Sequence, residues 1–371
     1  MQVGLIVIGN VLFVLALAAL GYRHLRRRRV AATLRITSPN GIVDERFVRI
    51  GGIDQWIQIR GEDRGNPPLL ILHGGPGWPN SVFTPVLRSW EKHFTVVQWD
   101  MRGTSKTLRR NGKAGSGEMT FGRRVADAVE LTEFLRQHLG QDKVILLAES
   151  MGTLVGAPLI KRRPDLFSAY VATDLYVDMV RNEAVKYQLT LDRLRAAGNA
   201  KGIAALERIE PDPARWTLQE WSVNMGWAFK TNLPRPGLER SLLFPLVFFN
   251  PGYRLRDIFH LFVGFQFCTV KLYDEMMAFD ARRLGNGFEV PFFLLQGESD
   301  VVTVTTLAEE YFAEVEAPRK GLALIRNAGH FAAFTQPEQF LTELLTRVRP
   351  AGAPVGHDRA GLEEPQPQVL G

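Results

Sequence analysis

Residues 3–20 form a single apolar run broken only by Asn10. As a helix rising about 1.5 Å per residue the run spans roughly 27 Å, enough for one membrane crossing. The pattern then changes. Arg46 to Ile50 and Gln55 to Ile59 alternate apolar and polar positions on either side of Gly51-Gly52, which predicts a hairpin at a sheet edge. Residues 69–72, 95–97 and 144–147 are instead continuous apolar runs, the mark of parallel strands covered on both faces. Between the last two, Val125, Ala128, Val129, Thr132, Leu135 and Leu139 recur at helical spacing, so 120–139 is predicted as the crossover helix of a βαβ unit. A strand at 169–172 follows. The alternation then stops until residues 291–295 and resumes with a helix near 304–316, a strand at 321–326 and a helix near 337–348.

This pattern predicts an α/β chain in five parts: a transmembrane anchor over 1–22, a basic linker over 23–44, a core over 45–173 and 289–349, a helical cap over 174–288, and a disordered Pro/Gly-rich tail over 350–371. The first segment carries no basic residue before its apolar run, whereas Arg23 and Arg26 to Arg29 follow it. That order argues against a cleaved signal peptide, although Ala16-Leu17-Ala18 resembles a cleavage site. Positive flanks stay cytoplasmic. The expectation is a single-pass membrane protein with its catalytic domain in the cytoplasm.

The net charge of +6 equals the contribution of those five arginines plus Arg35; the rest of the chain has 39 basic residues against 39 acidic ones. A basic cluster confined to one segment is no nucleic-acid footprint, so nucleic acid is excluded as a partner. The single cysteine, Cys268, allows no intrachain disulfide. No His/Cys/carboxylate cluster has ligand spacing, so no metal or cofactor is expected. Nothing in the sequence indicates an oligomeric state.

The local chemistry centres on Ala148-Glu149-Ser150-Met151-Gly152, where a buried strand runs into Ser-x-Gly and a helix. A serine on such a tight turn is held with its hydroxyl exposed, and small neighbours relieve the crowding. Asn327-Ala328-Gly329-His330-Phe331 follows a predicted strand and offers His330 as base; Gly297-Glu298-Ser299-Asp300 follows another and offers Asp300, or in its place Glu298, to orient the imidazole. The order Ser150, Asp300, His330 suits a hydrolase triad. In His73-Gly74-Gly75-Pro76-Gly77, the amide of Gly75, or failing that Gly74, would join the amide of Met151 in an oxyanion hole, with His73 fixing the loop. Asp100 and Arg102 are read as a structural pair; Glu149 could add negative charge that stabilises the His330 imidazolium, with an outward-facing residue as the plainer role.

Taken together, the His73-Gly74-Gly75-Pro76-Gly77 loop, Asp100-Met101-Arg102-Gly103, the serine turn and the Asp300 and His330 contexts resemble the prolyl-iminopeptidase-related branch of the α/β-hydrolases, over residues 45–348. The resemblance implies an α/β-hydrolase fold whose mostly parallel sheet is flanked by helices, with a helical cap shaping substrate choice and hydrolysis without a cofactor. It also implies cap glutamates, one after a tryptophan, that hold a substrate's free ammonium. Here Trp216-Thr217-Leu218-Gln219-Glu220-Trp221 matches loosely, leaving Glu220, Trp221 and Glu183 as substrate-binding candidates, with a solvated helix face as the plainer role for the glutamates. Ala148 departs from the glycine usual at that place. The expected function is cleavage of an ester or amide bond in a small molecule or short peptide through an acyl-enzyme, with esters preferred over prolyl amides. Iminopeptidase activity, perhydrolysis on the same triad and a non-catalytic ligand-binding role are the alternatives.

Overall fold

The computed structural model of the protein describes residues 2–232 and 238–351. The tail expected to be disordered, 350–371, lies outside the described residues from 352 onward. In chain order the elements are α1 (Gln2–Thr33), β1 (Ile42–Ile50), β2 (Ile53–Gly61), β3 (Pro68–Leu72), β4 (Thr95–Asp100), α2 (Ser105–Asn111), α3 (Phe121–Leu139), β5 (Val144–Glu149), α4 (Thr153–Arg162) and β6 (Phe167–Thr173). Among the described residues five helices follow, α5 (Met179–Ala196), α6 (Ala200–Leu206), α7 (Leu218–Asn232), α8 (Leu238–Phe249) and α9 (Leu255–Met277). The chain then returns to the sheet with β7 (Phe292–Gly297), α10 (Thr305–Glu314), β8 (Lys320–Ile325), α11 (Ala332–Thr335) and α12 (Pro337–Glu343).

Among the described residues, eight strands form one sheet in the order β1-β2-β4-β3-β5-β6-β7-β8. β2 pairs antiparallel with both β1 and β4, and every later pairing is parallel. Gly51 and Gly52, both at positive φ, make the hairpin turn that places β1 at the edge. Alternate side chains of the central strands supply separate cores. Leu70, Leu72, Leu146 and Ala148 pack with Val125, Leu131 and Leu135 of α3. Leu69, Ile71, Ile145 and Leu147 pack on the other side with Trp90, Phe340 and Leu344. Both faces of the sheet are thus covered, as continuous apolar strands require.

The N-terminal segment departs from expectation. Among the described residues, no helix is long and apolar enough to cross a membrane. The transmembrane anchor over 1–22, the membrane as partner and the single-pass location with a cytoplasmic catalytic domain are therefore corrected. The physical reason lies in the basic residues. Nothing between Arg23 and Thr33 breaks a helix, so α1 continues through them, and the guanidiniums of Arg23 and Arg27 dock on the protein. Arg23 donates through Nε to the Phe248 carbonyl at 3.0 Å and through Nη2 to that of Tyr253 at 2.9 Å. Arg27 donates to the carbonyls of Asn250 and Pro251. Tyr22 meets the Phe249 ring edge-on at 5.7 Å.

Candidate active site

Parallel strands deliver their C-terminal ends to one edge of the sheet, where ligands of open α/β sheets bind. Ser150 directly follows β5 with φ +53°, a left-handed conformation that costs a non-glycine residue about 1–3 kcal/mol and persists only when its surroundings impose it. They do so by close approach: a Cβ on Gly152 would lie 2.3 Å from the Leu72 carbonyl oxygen, and one on Gly74 would lie 2.8 Å from the Ser150 Cβ. The unusual Ala148 is accommodated from the other side. Gly156, one turn into α4, faces it, and a Cβ at that glycine would lie 2.7 Å from the Ala148 Cβ.

His330 Nε2 lies 3.1 Å from Ser150 Oγ, and His330 Nδ1 lies 2.9 Å from Asp300 Oδ2. All three residues are buried. Asp300 follows β7 and is tightly held: Oδ1 accepts the amides of Val302 (2.7 Å) and Thr303 (3.1 Å), while Oδ2 accepts the Thr303 hydroxyl at 2.5 Å. Glu298, the alternative acid, accepts the Asn327 amide at 2.6 Å instead. A neutral Nε2 facing a hydroxyl can take its proton, and the carboxylate fixes the tautomer that presents it.

Two further carboxyls close around this histidine. Glu149 is buried rather than outward-facing, and its Oε2 accepts the Gly74 amide at 2.9 Å. Asp174 follows β6 at φ +50°, is fully buried, and accepts the Phe331 amide through Oδ2 at 3.1 Å. Each carboxyl therefore pins one loop of the site. Burial pushes both above the ordinary carboxylate range, with His330 acting in opposition. Burial alone would lower the His330 imidazole, but Asp300, Asp174 and Glu149 outweigh it and raise the ring to about 9. Glu149, Asp174 and His330 each bring a possible metal-ligand atom within 4.8 Å of the others. Both ring nitrogens of His330, however, are already engaged by Ser150 and Asp300.

In the preceding loop, His73 Nδ1 donates to the Gly74 carbonyl at 2.9 Å and Nε2 accepts the Met101 amide at 3.3 Å. Burial holds its ring down at about 3, so it stays neutral and structural. The Gly74 amide is taken by Glu149 Oε2, while Gly75 and Met151 both line the cavity beside Ser150. Asp100 and Arg102 do not pair with each other. Arg102 forks onto Asp127 at 2.8 and 3.0 Å, and Asp100 accepts from Ser81 Oγ and the Lys106 amide.

Above the serine, Gly74, Gly75, Ser150, Met151 and His330 form the floor of a cavity of about 400 Å³. Its walls are Trp221, Met225 and Phe229 of α7, Phe262 and Phe265 of α9, and Trp78, Tyr176, Leu243 and Phe331. Of the cap candidates only Trp221 lines it. Glu220 sits at the surface, where its Oε2 accepts both the amide (2.8 Å) and the hydroxyl (2.7 Å) of Thr217, the reciprocal cap of a helix start. Glu183 is buried behind the wall and paired with Lys186. A tryptophan-glutamate spacing reads alike in a cap and in a binding site; only the direction of the side chains separates the two.

Residues 67–337, well over half of the chain, match the family model described as alpha/beta hydrolase fold. The protein named "Probable aminopeptidase YbaC" from Bacillus subtilis (strain 168) is 28% identical over 308 residues, covering 81% of this chain and 94% of its own. Among solved structures, the proline iminopeptidase-related protein from Thermus thermophilus aligns with a TM-score of 0.57 at 21% identity, covering 84% of this chain and 99% of its own. A bacterial membrane phospholipase A aligns with a TM-score of 0.59 at 16% identity, over 95% of this chain and 99% of its own. At these identities the structural likeness is one of fold.

Proposed function

The chain belongs to the α/β-hydrolase fold family and is similar to its prolyl-iminopeptidase-like members, and from that premise we propose that this hydrolase is a serine enzyme cleaving carboxylic ester or amide bonds through an acyl-enzyme. The observation that carries the reading is the unbroken line from Ser150 Oγ through His330 to Asp300, at 3.1 and 2.9 Å, on the floor of the apolar cavity. In this reading His330 Nε2 takes the Ser150 proton as Oγ attacks the substrate carbonyl. The developing oxyanion is met by the amides of Gly75 and Met151, donors of a kind worth roughly 2.7–4 kcal/mol each. Collapse of the adduct breaks the ester or amide bond, and His330 returns the proton to the leaving alcohol or amine. Water, activated by the same imidazole, then attacks the acyl-enzyme and frees Ser150.

Trp221, Met225, Phe229 and Phe265 make an apolar seat for the acyl group. An aminopeptidase reading is favoured by the name of the Bacillus subtilis relative, which this chain matches over 94% of that relative's length. It asks for an unpaired carboxylate near the acyl group, and neither Glu220 nor Glu183 offers one. The test is labelling by a fluorophosphonate probe, with the modified residue located by mass spectrometry, followed by matched aryl esters and prolyl arylamides. Labelling at Ser150 with esters turned over faster is the expected result. An unlabelled, folded protein refutes the serine mechanism, and faster turnover of prolyl arylamides restores the aminopeptidase.

A further inference from the structure

Behind the acyl seat lies a polar cluster that the proposed chemistry does not use. Glu183 and Lys186 sit one turn apart on α5 with fully buried side chains, and Lys186 Nζ donates to Glu183 Oε1. The other oxygen, Oε2, accepts from Asn224 Nδ2 on α7 at 3.1 Å. Lys186 Nζ also lies 3.9 Å from the sulfur of Met225, which is part of the cavity wall. The Met225 side chain therefore stands between Lys186 and the cavity. Stability is a poor explanation for such a pair, since replacing a buried ion pair by packed apolar residues is often neutral or stabilising.

The pair makes sense as a filter. A buried carboxylate one layer behind the acyl seat would attract a cation with several N–H donors, and the α-ammonium of an aminoacyl substrate is such a group. That place is already taken by the chain's own ammonium. We infer that Lys186 is a built-in counter-ion that closes Glu183 to substrate, so that the enzyme takes acyl groups without a free amino terminus. The inference rests on the acyl-enzyme reading above. One other charge at the cavity acts in the same direction. Lys230 at its rim is a cation, lying 4.1 Å from the Trp227 ring centroid. Glu149 also lines the cavity, but its Oε2 accepts the Gly74 amide, its Oε1 is buried without a hydrogen-bond partner, and burial pushes its carboxyl above the ordinary carboxylate range, toward the uncharged form.

The experiment compares the 4-nitrophenyl esters of phenylalanine and N-acetylphenylalanine at about pH 7, below the ordinary range of an α-amino group. It uses the wild-type protein, Lys186→Ala and Lys186→Ala/Glu183→Gln. Wild type should favour the acetylated ester in kcat/KM by about tenfold or more, as expected when a charge must enter a site without a partner. Lys186→Ala should shift the ratio toward the free amine by at least about tenfold and bind phenethylamine correspondingly tighter as a competitive inhibitor. The double variant should return both readouts toward wild type. A wild type that prefers the free amine overturns the inference, as does a folded Lys186→Ala with unchanged ratio and inhibition. Should that variant not fold, Lys186→Gln, which keeps a donor on Glu183 without its charge, is read in the same way. Failure of Ser150 to label in wild type sinks the acyl-enzyme reading itself, whereas labelling with an unmoved ratio sinks only the counter-ion.

Discussion

Gly156→Ala pits two known effects against each other. Gly156 is in the interior of α4, where alanine should gain about 1 kcal/mol of helix propensity. Against this, the new methyl would lie 2.7 Å from the Ala148 Cβ, with Tyr170 Cε2 at 3.2 Å and its hydroxyl oxygen at 3.3 Å. Contacting carbons prefer about 3.5–4.0 Å. The β-carbon of Ala148 belongs to a central strand and cannot rotate away, so α4 must lift from β5, an overpacking that costs about 1–3 kcal/mol. The clash outweighs the propensity by about 1 kcal/mol, for a fall in Tm of roughly 2–4 °C. Because Ser150 sits where β5 passes into α4, the same shift moves the nucleophile; misplacement of ~1 Å can cost about a hundredfold, and a partial shift should lower kcat for an aryl ester by about tenfold. Calorimetry and ester kinetics are to be run on Gly156→Ala, Ala148→Gly and the double variant. The double should recover more than the single effects predict, with a coupling of about 1 kcal/mol. A Gly156→Ala protein as stable and active as wild type, with no coupling in the cycle, would refute the argument that this glycine compensates Ala148.

Ser150→Ala and His330→Ala should each lower kcat by about 10⁶ in a folded protein, and Asp300→Asn by somewhat less; wild-type turnover in His330→Ala would show that the base is misassigned. The raised imidazole fixes the sign of the pH dependence. The base form is the active one, so kcat/KM should climb as pH rises toward about 9. The stability contributed by the imidazolium, fully present below about 6.5, should fade through the same window. Asp174→Asn removes one of the carboxyls holding the ring up, so the midpoint in its pH profile should move down; an unmoved midpoint means Asp174 does not act on His330. Glu220→Gln should leave ester kinetics unchanged while slightly lowering Tm through the weakened helix start, and a large rise in KM would return Glu220 to the substrate site.

Much of the site was legible because it is written in short, local patterns. The continuous apolar strands, the serine turn, the glycines of the His73 loop and the order of Ser150, Asp300 and His330 each depend on residues a few positions apart and on one topological rule, that parallel strands end at a common edge. What the sequence could not determine depends on which distant group a side chain meets. Nothing near Asp174 in the chain signals a carboxyl folded against His330. For Glu149 the sequence leaves a solvated face and a place beside His330 both open, and only the fold buries it with the Gly74 amide donating to it. Lys186 and Glu183 look like an ordinary charged pair one turn apart; only the packing of α5 against α7 buries both and sets them behind the acyl seat. The N-terminal segment shows the same division. Its apolar run suggested an anchor, but composition cannot reveal that Arg23 and Arg27 find carbonyls of the α8–α9 turn as acceptors. Periodicity and turn chemistry are properties of neighbours along the chain, whereas burial, ion pairing and the direction of a side chain belong to neighbours in space, and those exist only once the tertiary structure has formed.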